Sequence, residues 1–311
     1  MPSLKSRLAA LLLRHTRKKA FASAEGMNRW IAAARLNEDH RPPVRLSRRV
    51  AIRQRSISGR VVYEVLPLQE GGGPRILYLH GGAFVFELSR YHWQLIAEMA
   101  ERLGSRITVP VYPLAPEHGF DDIFGFGMDI YRRILGEERP QDIVFMGDSA
   151  GGNMAVVMTM MAAAEGLPSP GAHVLISPGL DMTLANPDLH ALEERDPWLG
   201  IPGGLEAIRH YARELDRADW RISPLYGDLS VLPPTLLLTG THDILCPDCV
   251  IFADRARQAG VEVELEIAEG MFHDWVLVDL REAHAARDRI VAFLRQRFAA
   301  ARPAIPRSVP S

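Results

Sequence analysis

Short apolar runs alternate with longer amphipathic stretches over most of this chain, and that rhythm predicts its elements. Residues 75–80 (RILYLH), 106–112 (RITVPVY), 142–146 (DIVFM), 172–177 (AHVLIS), 235–239 (TLLLT) and 261–268 (VEVELEIA) read as strands. The first five are apolar almost without interruption, as strands covered on both faces are. Between them, residues 89–103, 120–135 and 150–164 are long enough for helical crossovers. The alternation predicts an α/β architecture, a mostly parallel central sheet flanked by helices. Residues 59–66 are expected to add an antiparallel edge.

Two stretches depart from the rhythm. Residues 181–227 carry Pro/Gly punctuation and one helical pattern near 205–215 but no strand signal, as an insertion laid over one end of the sheet would. In the first twenty residues, Leu4, Leu8, Leu11 and Leu12 recur at helical spacing. The first 24 residues contain Lys5, Arg7, Arg14, Arg17, Lys18 and Lys19 and no acid. This basic amphipathic helix is expected to pack on the body or lie over an apolar cleft. Weak contact with anionic lipid is the alternative. A secretory signal is not indicated, because the apolar core at 8–13 is short and a basic cluster separates it from Ala22-Ser23-Ala24. The expected organisation is a helical cap segment over 1–49, a catalytic α/β domain over 50–300 containing the 181–227 cap insertion, and a flexible tail over 301–311.

Charge and cysteine content narrow the function. There are 36 Lys+Arg against 38 Asp+Glu, a net charge of −2 that gives no reason to expect a nucleic-acid partner. Two cysteines cannot form a secreted disulfide framework, and no apolar run approaches the ~20 residues of a membrane span. A cytoplasmic location is the expectation.

The chemistry concentrates at strand ends. Gly147-Asp148-Ser149-Ala150-Gly151 follows the run at 142–146 directly and opens a helical stretch. A serine on such a turn is strained, its glycine neighbours let the turn close, and the helix N-terminus favours developing negative charge. His80-Gly81-Gly82-Ala83-Phe84 ends the run at 75–80, where Gly81 and Gly82, with Ala150, are expected to donate N–H groups to an oxyanion. Asp243 follows the run at 235–239 and His273 follows the run at 261–268, which gives a nucleophile, an acid and a base in chain order. His242 is a rival base, but it adjoins the acid in sequence. Phe84 and Trp198 are expected to line a pocket for an uncharged substrate; Phe86, Tyr211 and Trp275 are expected to be packing residues.

Together these segments resemble the hormone-sensitive-lipase-like, or bacterial family IV, carboxylesterases of the α/β-hydrolase superfamily. The resemblance rests on HGGAF (80–84), YPLAPEH (112–118), GDSAGGN (147–153), Ser223-Pro224-Leu225, THDIL (241–245) and residues 270–275. It implies an α/β-hydrolase fold and cofactor-free hydrolysis of short- to medium-chain carboxylic esters through an acyl-enzyme on Ser149, with Asp243 and His273 completing the triad. Amide, formamide or lactone hydrolysis on the same triad remains open, as does a non-catalytic binding role. His80, Asp148 and Glu117 are expected to support the site by hydrogen bonding, and relatives often form homodimers. Ala83 stands where the family usually has a third glycine, and activity should survive if the backbone there does not need a positive φ. Cys246-Pro247-Asp248-Cys249 has the spacing of a redox or metal pair, but no second ligand pair accompanies it and a helix start explains small residues there equally well, so a redox role is the lesser reading. No cofactor or metal is expected.

Overall fold

The computed structural model describes residues 2–69 and 71–299, and the tail expected over 301–311 lies outside them. Its strands are β1 (Val50–Ile57), β2 (Arg60–Pro67), β3 (Arg75–Leu79), β4 (Ile107–Pro110), β5 (Ile143–Asp148), β6 (Ala172–Ile176), β7 (Thr235–His242) and β8 (Val263–Phe272). The helices are α1 (Leu4–His15), α2 (Lys18–Phe21), α3 (Ala24–Asn37), α4 (Arg90–Leu103), α5 (Phe120–Leu135), α6 (Ala150–Ala164), α7 (Pro187–Glu193), α8 (Ile201–Ala212), α9 (Cys246–Gln258) and α10 (Arg281–Ala299). One eight-stranded sheet runs in the order β1-β2-β4-β3-β5-β6-β7-β8. It is parallel from β4 to β8 and antiparallel at β1–β2 and β2–β4.

The antiparallel edge is therefore not the segment expected. The 59–66 run lies in β2, inside the sheet, and β1 covers its outer side. Arg53, Gln54, Arg55 and Ser56 make β1 polar and largely exposed, so its sequence carries no strand period.

Alternate residues of the buried strands serve opposite layers. Leu77, Leu79, Phe145, Leu175 and Leu237 face α5, α6 and α9, whereas Ile76, Tyr78, Val144, Met146, Val174 and Leu236 face α4 and α10. Helix α6 is apolar on all sides and almost entirely buried, as a helix at the centre of a layer must be. Among the described residues no helix is long and apolar enough to cross a membrane.

The 181–227 stretch contributes α7 and α8, and α2 and α3 pack on α8. Close approach at two glycines permits that packing. A Cβ on Gly203 would sit 2.4 Å from Phe21 Cα, and one on Gly200 would sit 2.7 Å from Phe21 O. The basic N-terminal helix is split in two. Ser3 caps α1 by accepting the Ser6 N–H, α1 ends at His15, and α2 restarts at Lys18. Glu282 of α10 accepts the Ser3 N–H at 2.5 Å and the Ser6 hydroxyl at 3.0 Å, anchoring the start of α1.

The contact at Gly203 meets backbone, which cannot rotate away. Gly203→Leu should therefore cost about 1–3 kcal/mol, outweighing the ~1 kcal/mol gained from a better helix former. Thermal unfolding should show the loss, and limited proteolysis should cut the first 49 residues faster than in the native chain.

Candidate active site

Parallel strands end on one edge, so the residues just past β3, β5, β7 and β8 meet there. These are His80, Ser149, Asp243 and His273. Ser149 has φ 51° and ψ −118°, a strained conformation held by its neighbours, and its N–H donates to Ile176 O at 2.8 Å. A Cβ on Gly147 would lie 2.4 Å from Gly151 O, and one on Gly151 would lie 2.0 Å from Leu79 O. Both flanking glycines are sterically required.

The Ser149 hydroxyl lies 2.9 Å from His273 Nε2, and His273 Nδ1 lies 2.9 Å from Asp243 Oδ2. The aspartate can only accept, so Nδ1 carries the ring proton and Nε2 is free to accept from the hydroxyl. Asp243 Oδ1 also accepts the Leu245 N–H at 2.9 Å. Histidine and aspartate are both buried. His242 stays in β7 opposite Phe272, and His273 is the ring that reaches Ser149.

The oxyanion loop differs from expectation at one residue. Gly81 N–H already donates to Asp148 Oδ2 at 2.9 Å, so it is not available to an oxyanion. The N–H groups of Gly82, Ala83 and Ala150 are the ones left in position, since no partner for them is found among the described residues. Ala83 has φ 54°, so the backbone does require the left-handed region at the position where a third glycine is usual. Phe84 follows at φ 60°.

Asp148 is the anchor beneath this loop. Besides Gly81 it accepts the Tyr78 hydroxyl at 2.5 Å and His92 Nε2 at 3.0 Å. His92 Nδ1 in turn accepts the Ser89 N–H at 2.8 Å, which fixes the tautomer. Burial raises the Asp148 pKa, but His92 and Tyr78 outweigh it and hold the group below the usual carboxylate value. His80 is fully buried, stacks on Tyr112 at 4.1 Å and is pushed down to about 3 by burial, and its Nδ1 lies 2.7 Å from Gly81 O, so the neutral ring supports the loop by hydrogen bonding as expected. Glu117 does not touch the triad. It accepts Arg35 Nε and Nη2 at 3.0 Å, while Arg35 also donates to Val85 O at 2.7 Å and Ala115 O at 2.5 Å, tying α3 to the oxyanion loop.

Three further residues escaped the sequence reading. His92 lies in an ordinary helix start with nothing to mark it. Asp196, fully buried, accepts the N–H groups of Trp198 at 2.7 Å, Leu199 at 2.9 Å and Ile244 at 3.0 Å, joining the cap to the Asp243 loop. Burial and the neighbouring Asp243 push it up to about 7. An Asp before Pro-Trp is an Asx-turn signal that could have drawn notice. Asp274 has a carboxylate oxygen 3.2 Å from His273 Nε2, and its other oxygen is buried without a partner among the described residues.

Two cavities flank Ser149. The smaller, about 60 Å³, is apolar and lined by Ala83, Phe84, Met182, Leu184, Ile208 and Tyr211. The larger, about 280 Å³, runs past Trp198 and Phe86 under α1, where Leu12 and Leu13 form a wall and Arg17, Glu38 and Glu87 a polar end. The Trp198 ring stands edge-on to His273 at 5.6 Å. Phe86 and Tyr211 thus reach the cavities although packing was expected of them, while Trp275 is core. Cys246 and Cys249 are free thiols in the first turn of α9, and burial raises both above the ordinary thiol value. No cluster of three metal-ligating side chains occurs among the described residues.

Residues 76–277 match the family model for the α/β-hydrolase fold. An esterase of Acinetobacter venetianus is 33% identical over 214 residues, 68% of this chain and 71% of its own. A hormone-sensitive lipase from a metagenome library superposes with a TM-score of 0.82 at 28% identity, covering 94% of this chain and 98% of its own. An esterase of the bacterial hormone-sensitive-lipase family superposes at 0.81 with 25% identity, covering 96% and 99%. The chain belongs to the α/β-hydrolase family, in its hormone-sensitive-lipase-like branch.

Two measurements follow from this geometry. Burial disfavours a charged His273, yet Asp274 and Asp243 together outweigh it and raise its pKa well above the usual value. An ionised Asp274 stabilises the imidazolium, so removing that charge lets the ring become neutral at lower pH. The rate at which a small organophosphonate labels Ser149 should fall as pH drops from the alkaline side, above the ordinary histidine range, and Asp274→Asn should move that fall about one pH unit towards acid. Replacing Ala83 with glycine removes a left-handed strain of roughly 1–2 kcal/mol and adds unfolded-state entropy of somewhat less. Ala83→Gly should therefore raise stability by up to about 1 kcal/mol in denaturant unfolding.

Proposed function

We propose that this protein is a serine carboxylesterase acting on short- to medium-chain esters of uncharged acids and alcohols. The observation that carries the reading is the unbroken relay from Ser149 through His273 to Asp243, opening onto two cavities beside unengaged N–H groups. His273 Nε2 takes the hydroxyl proton as Ser149 Oγ attacks the ester carbonyl, and Asp243 balances the imidazolium. The N–H groups of Gly82, Ala83 and Ala150 receive the oxyanion. Collapse of the tetrahedral intermediate breaks the C–O bond, and the leaving alkoxide takes the proton from His273 Nε2. Water then attacks the acyl-Ser149 by the same proton path and releases the acid.

The cavities suit the two arms of such an ester. Phe84 and Tyr211 close the smaller one, which accepts the shorter arm, while Trp198 borders the larger one and the longer arm runs beneath α1. The helices of 1–49, with α7 and α8, act as the cap over both. Hydrolysis of p-nitrophenyl esters from acetyl to palmitoyl tests this. Turnover should peak at short to medium acyl chains, and Ser149→Ala should fold normally and lose at least about 10⁴-fold in kcat. Residual turnover above about a thousandth of wild type would reject the relay.

A further inference from the structure

Helix α1 is built with its larger apolar residues outward. Ser6, Ala9, Ala10 and Leu13 face the body, and of these only Ser6 is fully buried. Leu4, Leu8 and Leu11 fall on the opposite stripe and are 73%, 58% and 53% exposed. A helix held only by packing would place leucines inward and small polar residues outward. Here the outer stripe is flanked by cations, Lys5 on one side and Arg7 and Arg14 on the other, and exposed Lys19 follows in α2. Arg14 also reaches Arg195 O at 3.2 Å, and Lys5 pairs with Asp279. No acid occurs in the first 24 residues. The helix is not a loose end, because Glu282 holds Ser3 and Ser6, while Leu12 and Leu13 wall the larger cavity.

We infer that the outward Leu4–Leu8–Leu11 stripe of α1 and its flanking cations dock this protein on a bilayer containing anionic phospholipid. Leucines enter the boundary between headgroups and acyl chains while the lysine and arginine heads stay at the anionic surface. The larger cavity lies directly beneath the docked helix, which would bring an apolar ester from the lipid phase to its mouth. This inference is independent of the esterase reading, since it concerns binding alone.

The test is co-sedimentation of the full chain with vesicles of phosphatidylcholine, with and without phosphatidylglycerol, at low and high salt. Binding should be about tenfold tighter with phosphatidylglycerol and weaken in high salt. The Leu8→Ser, Leu11→Ser double variant should lose about tenfold in vesicle affinity. Its thermal midpoint and its turnover of a water-soluble ester should stay nearly unchanged, since both side chains are more than half exposed and neither lines the cavities. Absence of binding to anionic vesicles, or binding unaffected by the double variant, would overturn the inference. So would a concentration-dependent dimer dissolved by the double variant without any vesicle binding, which would assign the stripe to a second copy of the chain.

Discussion

The backbone of Gly151 passes so near the Leu79 carbonyl that no side chain fits between them, and the arrangement of the site depends on that contact. It presses the first turn of α6 against the end of β3, which fixes the distance from the serine turn to the oxyanion loop. With that spacing set, Asp148 can reach up to the Gly81 N–H and sideways to Tyr78 and His92. One carboxylate thus holds the loop that must receive an oxyanion to the strand that carries the nucleophile. Its own N–H donors are protein groups, so it needs no water to stay ionised in a buried place.

Carboxylates gather under this site to an unusual extent. Asp148, Asp196, Asp243 and Asp274 are all buried, yet each has a different outlet for its charge. Asp148 has three donors, Asp196 has three backbone N–H groups, Asp243 has the imidazole, and Asp274 has only the far side of that same imidazole. The number of donors does not set the acidity; the charges nearby do, since Asp148 faces His92 whereas Asp196 faces the carboxylate of Asp243. Asp148 is held low, whereas Asp196 is pushed up to about 7 and Asp274 up to about 6, burial being the leading cause in both. Crowding of like charges is tolerated because Asp196 and Asp274 keep their protons more readily than an ordinary carboxylate.

The strands buried on both faces were legible because burial demands apolar residues at every position, which leaves a plain mark in the sequence. β1 was not, since its place is decided by pairing with β2 while its side chains meet water. The grouping of Ser149, Asp243 and His273 was legible because strand ends converge by topology. Which loop N–H groups point into the site was not, because that depends on φ at Gly82, Ala83 and Phe84, and the sequence does not disclose that Gly81 is already engaged. His92 acts on Asp148 and Asp196 on the Ile244 N–H, partners brought near only by the fold, whereas Asp274 adjoins His273 in sequence. For His92 no local pattern marks the role, and the Asx-turn signal at Asp196 marks a turn without disclosing its reach to the Asp243 loop.

One wall of the larger cavity belongs to α1, a segment held to the rest by hydrogen bonds at Glu282, by Lys5 and Arg14, and by packing of Ala9, Ala10 and Leu13. The relay of serine, histidine and aspartate contains no residue from that segment. On the proposed function, part of the selectivity for the longer arm of a substrate is therefore separable from the chemistry and lies in residues that can be exchanged as one piece between related chains. Two relatives could share every reacting group and still divide the available esters between them by the helix each lays across the opening.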